Sequence, residues 1–442
     1  MTEDGAHTPP ELMEEPPHAE PGGYAPSVAE RLAFYQRAGG LVTPLITTLL
    51  AFFIGGLVVL ITTGKNPLST YRAIFDGTGL NWFFKVGSYD IGLPFSDTRV
   101  WFPWNTNSFA SHTAYNLQTT LVLTTALVFT GLAVAFAFRC GLFNIGGQGQ
   151  YMLGAITAVW VGGSFAGMAH IPHAALTIAA AALAGALLAG VAGLLKATVG
   201  AHEVIVTIML NWIVFWFGSF LFGLGGPLQN NNPARQAEPI SNDVADSSKL
   251  HVFWGNPVLQ GLHIGFLMAL VAIVVYWLVI SRTTLGYEVR AVGFNPDAAR
   301  YGGIAVGRNY FLAMAIAGVF AGIGGAVDIL GWQYRLAVND VQSSQIGFIG
   351  IAVALLGRNK PIGVGLAALL FGALLTGTST RNLDPAVFKP ELADNLTLLI
   401  QGLVVLFVGA DLLVLYLWQI RRRLPGVRKR AQAAPAAGEG GA

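Results

Sequence analysis

Charge is scarce in this sequence. Asp, Glu, Lys and Arg supply 11% of its 442 residues, against about 25% in a soluble domain. Too few charges remain to cover a water-facing surface, so an ordinary soluble domain is excluded. Cysteine is nearly absent: Cys140 is the only one, which excludes an internal disulfide. A phosphate-binding loop is missing as well. Gly64-Lys65-Asn66 starts like one but fails at its last position, so the chain does not hold ATP by a P-loop. The eight histidines do not cluster, and His170 and His173 flanking Pro172 make a poor metal pair. No Gly-x-Ser-x-Gly elbow occurs. No catalytic residue, cofactor or metal site is therefore expected, and the chain reads as something other than an enzyme. Basic blocks are lacking outside the C-terminal tail and the net charge is +2, so nucleic acid is not an expected partner. Ionisable residues inside apolar runs are few. Glu203, Asp328 and Asp411 sit near segment ends, where snorkelling or a helix-end partner accounts for them. That scarcity argues against a carrier driven by an ion gradient.

What is abundant is apolar surface: 54% of residues are hydrophobic, and the mean hydropathy is +0.58. About 20 apolar residues span a bilayer. That ruler places segments near 41–63, 118–138, 149–165, 174–196, 204–224, 262–280, 309–330, 344–357, 362–380 and 395–418. The expected fold is all-α: a polytopic membrane protein of about ten transmembrane helices. The third and eighth segments are short, as broken or re-entrant helices are. Around the membrane domain, 41–420, lie tails. Residues 1–26 are rich in Pro, Glu and Gly, lack the apolar core of a signal peptide, and are expected to be disordered. Residues 27–40 open on Ser27-Val28-Ala29-Glu30, which fits a capping box, and read as an amphipathic interfacial helix. Residues 421–442 form a basic, then disordered, tail.

With both termini inside, sixteen of the 25 basic residues fall on inner segments and nine on outer ones. The positive-inside rule supports that orientation. Two long loops, 64–117 and 225–261, then lie outside, where they could receive a solute or partner or simply cap the bundle. The longest inner loop is 281–308.

One stretch is neither charged nor apolar. Gly141-Leu142-Phe143-Asn144-Ile145-Gly146-Gly147-Gln148-Gly149-Gln150 sets four glycines and three amides between membrane-length runs. Non-helical polar backbone at membrane depth is tolerated only where protein buries it or where it lines a cavity. The stretch reads as a broken helix beside a solute path, or else as a tight inner loop. Asn144, Gln148 and Gln150 are candidate path residues. On the fifth segment, Thr207, Asn211 and Gly218 share a helix face by their spacing, which adds Thr207 and Asn211. A faint echo follows in the other half, where Gln342-Ser343-Ser344-Gln345-Ile346-Gly347-Phe348-Ile349-Gly350 opens the eighth segment. Paired, glycine-interrupted short segments point to a central site in transporters.

Within the inner loop, Asn295-Pro296-Asp297-Ala298-Ala299-Arg300-Tyr301-Gly302-Gly303 reads as a short, well-delimited helix. Asn295 suits the N-cap, Pro296 the first position and Asp297 the positive end of the dipole. Gly302 is expected to supply the left-handed stop. Ala298, Ala299 and Tyr301 would then form a knob able to enter a groove on a soluble partner. Arg300 lies on it, and Glu288, Arg290 and Gly293 just upstream stand at its rim.

These blocks resemble a known family. Gly141-Leu142-Phe143-Asn144-Ile145-Gly146 with Gly149-Gln150 is similar to a motif of ATP-binding-cassette importer permeases of the simple-sugar and nucleoside type, within the branched-chain amino acid permease superfamily. So are Glu203-Val204-Ile205-Val206-Thr207-Ile208-Met209-Leu210-Asn211, and Arg290-Ala291-Val292-Gly293 followed by Asn295, Ala298-Ala299 and Tyr301-Gly302-Gly303-Ile304. A fourth block runs from Gly347 through Leu355-Leu356-Gly357-Arg358-Asn359. The resemblance implies a multi-pass permease of the bacterial cytoplasmic membrane, paired with a second homologous permease chain. It implies a cytoplasmic ATPase with two nucleotide-binding domains, which the short helix would couple to the membrane, and an extracytoplasmic substrate-binding lipoprotein. Gln148 stands where that family commonly carries an acidic residue. The expected cargo is a neutral polar small-molecule solute, a nucleoside first. A simple sugar such as ribose is the close alternative, with a branched-chain amino acid behind it. The rival from another class is an ion-coupled carrier working alone.

Overall fold

The computed structural model describes residues 48–62, 64, 66–82, 91–92, 99–100, 112–256 and 260–379, with 398–399, 402–403 and 406 beyond them. The tails, the amphipathic helix over 27–40 and most of the tenth segment lie outside these residues. Helices dominate. In chain order they are α1 (Thr48–Thr62), α2 (Pro67–Gly77), α3 (His112–Arg139), α4 (Gly147–Ser164), α5 (His170–Val199), α6 (Glu203–Phe222) and α7 (Gly265–Arg282). Then come α8 (Thr284–Phe294), α9 (Pro296–Tyr301), α10 (Val306–Asp328), α11 (Val338–Ser343), α12 (Ile346–Leu356) and α13 (Pro361–Gly377). A π-helical turn, Ile329–Gln333, extends α10.

Nine of the ten expected segments coincide with helices. Among the described residues, α3, α5, α6, α7 and α10 with its π turn are long and apolar enough to cross a membrane. At about 1.5 Å per residue, the 11-residue α12 reaches about half of a ~30 Å hydrocarbon core. The eighth segment is thus a half-length helix, preceded by the separate turn α11. The loop expected over 64–117 is not all loop. α2 lies inside it, and α3 begins at His112, six residues before the sequence reading placed it. Asn66 caps α2 by accepting from the Leu68 amide at 2.9 Å, with Pro67 at the first helical position. Thr120 of α3 then donates to the Thr78 carbonyl at 2.7 Å, fixing the end of α2.

Burial sorts the helices. The most apolar window of α3 is 83% buried and that of α6 only 17%, so α3 is the centre and α6 an outer wall. Three further buried hydroxyls of α3 are satisfied within the helix: Thr124, Thr125 and Thr130 donate to carbonyls four residues back at 2.7, 2.8 and 3.1 Å. Phe136, Tyr276 and Phe320 meet at ring centroids 6.0–6.4 Å apart and join α3, α7 and α10. Small residues bring α5 and α10 backbone to backbone, since a Cβ on Gly318 would lie 2.1 Å from the Gly185 carbonyl oxygen. Such contacts replace the hydrophobic drive that lipid surroundings remove.

The loop over 225–261 is stitched to the ends of α4 and α10. The amides of Ser241, Val244 and Leu250 donate to the carbonyls of Leu336, Tyr334 and Leu330, and Ala245 to Gly162, all at 2.8–2.9 Å. Asp328, read as a charge near a segment end, is buried in the last turn of α10. Its carboxylate accepts from Tyr151, from Trp332 at 2.6 Å and from Gln333 at 3.2 Å. Helix-end partners account for it. Glu203 pairs with Lys196 at 2.9 Å across the turn from α5 to α6. His173 is enclosed between Ser247 Oγ at 2.8 Å and the Val161 carbonyl at 3.2 Å.

Candidate functional site

After α3 the chain leaves helix at Cys140 and re-enters it at Gly147. Gly141 turns it with φ +76°, and the Leu142 amide folds back onto the Ala137 carbonyl at 3.1 Å. The amides of this break are all spoken for. Asn144 and Gln150 exchange two hydrogen bonds, each 2.9 Å, in full burial. Gln148 faces the other half of the chain: it donates to the Ser344 carbonyl at 2.8 Å and accepts from the Gly347 amide at 2.8 Å. Asn211 of α6 accepts from the Gly149 amide at 2.8 Å and donates to the Ile145 carbonyl at 3.1 Å. Thr207, one turn before it, spends its hydroxyl on the Glu203 carbonyl at 2.8 Å. An unpaired buried amide would cost about 1–3 kcal/mol, which is why each finds a partner.

The two glycine-and-amide stretches that echo each other in sequence touch in space. A Cβ on Gly347 would lie 2.3 Å from Gln148 Cα and 2.8 Å from the Gly147 carbonyl carbon. The start of α4 and the start of α12 therefore cross with no side chain between them, and Gln148 clasps the crossing.

Beside the clasp is a cavity of about 210 Å³. Trp212, Phe215 and Phe348 wall it with Met152 and Ile208, and Gln148, Asn211, Gln342 and Ser344 bring polar atoms to it. No Asp, Glu, Lys or Arg is among the described residues that line it. Of the five residues picked from sequence, Gln148 and Asn211 reach this cavity. Asn144, Gln150 and Thr207 lie behind it as supports. Sequence reasoning passed over Trp212 and Phe215, and held Gln342, Ser344 and Phe348 only as part of the echoing stretch, without picking them singly. For Phe215 a signal did exist, because it stands four positions after Asn211 and so shares its face of the helix; Trp212, one position on, carried no such signal.

The second constellation is the inner loop. Thr283 caps α8 by accepting from the Gly286 amide at 3.1 Å. Asn295 caps α9, its Oδ1 accepting from the Asp297 and Ala298 amides at 3.0 Å each. Gly302 is not the left-handed stop: its φ is −76°, and Gly303 takes +82° instead. The alanines divide, with Ala299 buried against the core and Ala298 exposed. Beside Ala298 stand two aromatics in open solvent, Phe294 at 94% and Tyr301 at 93% exposure. A concavity of about 500 Å³ between α8 and α9 is walled by Tyr287, Arg290, Phe294 and Ala298. Arg290 bonds the Gly286 carbonyl of its own helix at 3.2 Å. Arg300 faces Asp297 at 3.8 Å on the surface, an ion pair worth little. Glu288 points inward and accepts from Asn309 at 3.0 Å.

Gly293 links the two constellations. Its backbone lies against Arg139, Cys140 and Gly141, where a Cβ would come within 2.2 Å of the Arg139 carbonyl oxygen. Cys140 is buried there with its sulfur 3.7 Å from the Asn309 carbonyl. Burial pushes its thiol up to about 12, which makes it inert as a nucleophile at neutral pH.

Residues 116–409 match the family model described as branched-chain amino acid transport system / permease component. The guanosine ABC transporter permease protein NupP of Bacillus subtilis is 35% identical over 85% of this chain and 95% of its own. The nucleoside ABC transporter permease protein NupB of Lactococcus lactis is 30% identical over 85% and 92%. The glucose ABC transporter permease protein TsgB13 of Haloferax volcanii is 31% identical over 83% and 86%. Shorter permeases of the same two naming series, NupQ and NupC, match over 57% of this chain. No solved structure matches. A multi-pass bundle with broken helices at its centre, matched in this way over most of its length, belongs to the permease family of the branched-chain amino acid transport system, whose members are transport subunits of ATP-binding-cassette systems and leave ATP hydrolysis to a partner ATPase.

Proposed function

We propose that this chain is one of two permease subunits of an importer in a bacterial cytoplasmic membrane, and that its cargo is a nucleoside. The observation that carries the cargo is the cavity beside the clasp. Its walls are aromatic, its polar groups are amides and a hydroxyl, and no charge is among the described residues that line it. A nucleobase offers flat faces for stacking, worth about 1–3 kcal/mol per base on an aromatic side chain. Its edges can use the second N–H and the second lone pair that Gln148 and Asn211 each keep beyond their internal bonds. An anion would call for Arg or Lys. Relatives named for guanosine and nucleosides agree with this reading.

The partners follow from the same reading: a second homologous permease, a cytoplasmic ATPase with two nucleotide-binding domains, and an extracytoplasmic binding lipoprotein. Paired naming among the relatives supports the second permease. The inner loop is the contact for the ATPase. Phe294 and Tyr301, carried on capped helices, are apolar surface with nothing covering it, and exposed apolar patches rimmed by polar groups mark interaction sites. Both termini are then cytoplasmic.

The assembled complex in proteoliposomes tests the cargo. Labelled guanosine should accumulate on addition of ATP, with Trp212→Ala reducing uptake at least tenfold. Glucose or ribose should compete weakly. The glucose-named relative gives the second reading, a simple-sugar permease. Sugar uptake exceeding guanosine uptake, with Trp212→Ala lowering the sugar's, would establish that reading in place of ours.

A further inference from the structure

We propose that the bare backbone contact between Gly293 and the Arg139–Gly141 turn is the joint that carries motion from the ATPase contact to the solute cavity. The inference rests on the reading of α8 and α9 as that contact and names how force leaves it.

Three observations converge. The first is rigidity on the input side. Gly293 is the second-last residue of α8, and Asn295, two positions on, caps α9. The Asn295 amide also donates back to the Ala291 carbonyl at 3.1 Å, and Ala299 to Asn295 at 3.0 Å. No free linker separates α8 from α9, so a push on α9 arrives at Gly293.

The second is the contact itself. A Cβ on Gly293 would lie 2.2 Å from the Arg139 carbonyl oxygen and 2.9 Å from both the Cys140 carbonyl carbon and the Gly141 nitrogen. From the other side, a Cβ on Gly141 would lie 3.3 Å from Gly293 Cα. Backbones in direct contact have no rotamers to change, whereas a side-chain contact can yield by switching between staggered wells. Packed backbone transmits displacement instead of absorbing it.

The third is what the turn is tied to. Arg139 donates from Nε and Nη2 to the Asn359 carbonyl at 3.2 and 2.8 Å, and the Tyr276 hydroxyl joins the same oxygen at 2.9 Å. The turn is thereby held to α7 and to the α12–α13 connection. On its far side, Ile145 and Gly149 grip Asn211, and Asn211 lines the cavity. A second tether, Glu288 to Asn309 at 3.0 Å, keeps α8 on α10 while Gly293 moves the turn. Displacement at Gly293 thus reaches a cavity wall through backbone and two hydrogen bonds.

Two measurements on the full complex test the joint. In the first, Gly293→Ala is assembled with its partners in proteoliposomes, and solute transported per ATP hydrolysed is compared with wild type. The ATPase should stay bound while this ratio falls at least tenfold. A wild-type ratio with the ATPase bound overturns the joint and leaves the docking reading standing. A wild-type chain that retains no ATPase overturns both. The second uses the unaltered protein and so does not depend on the variant folding. The amides of Cys140 and Gly141 lie in the joint, bonded to the Ala137 and Phe138 carbonyls at 2.9 and 3.1 Å. Their rates of hydrogen exchange should differ at least threefold between nucleotide-free and ATP-bound complexes. Equal rates would mean that the turn does not move with the motor, and the joint is wrong.

Discussion

Two polar interruptions of the bundle invite comparison: the break between α3 and α4, and the inner loop bearing α8 and α9. In the break, Asn144, Gln148, Gln150 and Asn211 are each paired at 2.8–3.1 Å. In the loop, the pairing consists of caps, the Glu288–Asn309 bond and the local contacts of Arg290 and Arg300, while Phe294 and Tyr301 stand in solvent. Burial explains the first pattern, because an amide removed from water must find its hydrogen bonds inside the protein. The second is the reverse case, apolar rings left in water where folding offers them no cover. Amides in the membrane therefore mark the machinery that holds the break shut on itself. Aromatics in the loop are the surface proposed for the ATPase.

The comparison breaks most sharply at Gly347. A Cβ there meets Gln148 backbone at 2.3 Å, so Gly347→Val should cost about 3 kcal/mol or more by overpacking, seen as a collapse of the thermal unfolding temperature in detergent. A variant as stable as wild type would show that the two helix starts do not cross so closely.

Next comes the amide pair. Asn144→Leu leaves the Gln150 amide unmatched and should cost about 1–3 kcal/mol. The double variant with Gln150→Leu should be less destabilised than the sum of the single changes. A strictly additive cycle would mean that the two amides do not act as a pair.

Gln148→Glu sharpens the same point through pH. The wild-type amide both donates to the Ser344 carbonyl and accepts from the Gly347 amide. A protonated carboxyl can do both, whereas a carboxylate cannot donate and would oppose the Ser344 oxygen. The variant should transport near the wild-type rate at low pH and lose rate several-fold as pH rises and the carboxyl ionises. Wild type should lack this step. An identical pH profile in both chains would remove Gln148 from the clasp.

The smallest effect on stability belongs to the loop. Phe294→Ala and Tyr301→Ala should change unfolding by no more than about 0.5 kcal/mol, as exposed positions do, yet reduce ATPase copurification severely. Unchanged copurification by the double variant would leave these rings without a partner there.

Much of this was legible in the chain. The apolar runs located nine helices, and a half-length α12 was visible in a short eighth segment. Asn295 and Pro296 announced α9, because capping depends on a few neighbouring residues and little else. The stop was misassigned by one residue: two adjacent glycines can each take positive φ, and local sequence does not choose between Gly302 and Gly303. Ala298 and Ala299 could not be told apart either, since only the packing of α9 onto the core decides which one faces inward.

The sequence by itself determined the membrane class, the helices of nine apolar runs, the short helix α9 and the two places where polar chemistry interrupts the bundle. Those properties follow from hydropathy and short-range hydrogen bonding, which a stretch of about 20 residues carries within itself. Only the tertiary structure decided what the interruptions do. Gln148 meets Gly347 across 199 positions, Gly293 meets Arg139 across the α3–α4 turn, and Trp212 joins Phe348 around one cavity. Contacts between distant stretches depend on how whole helices pack, and no local pattern encodes which glycine will lie against which backbone.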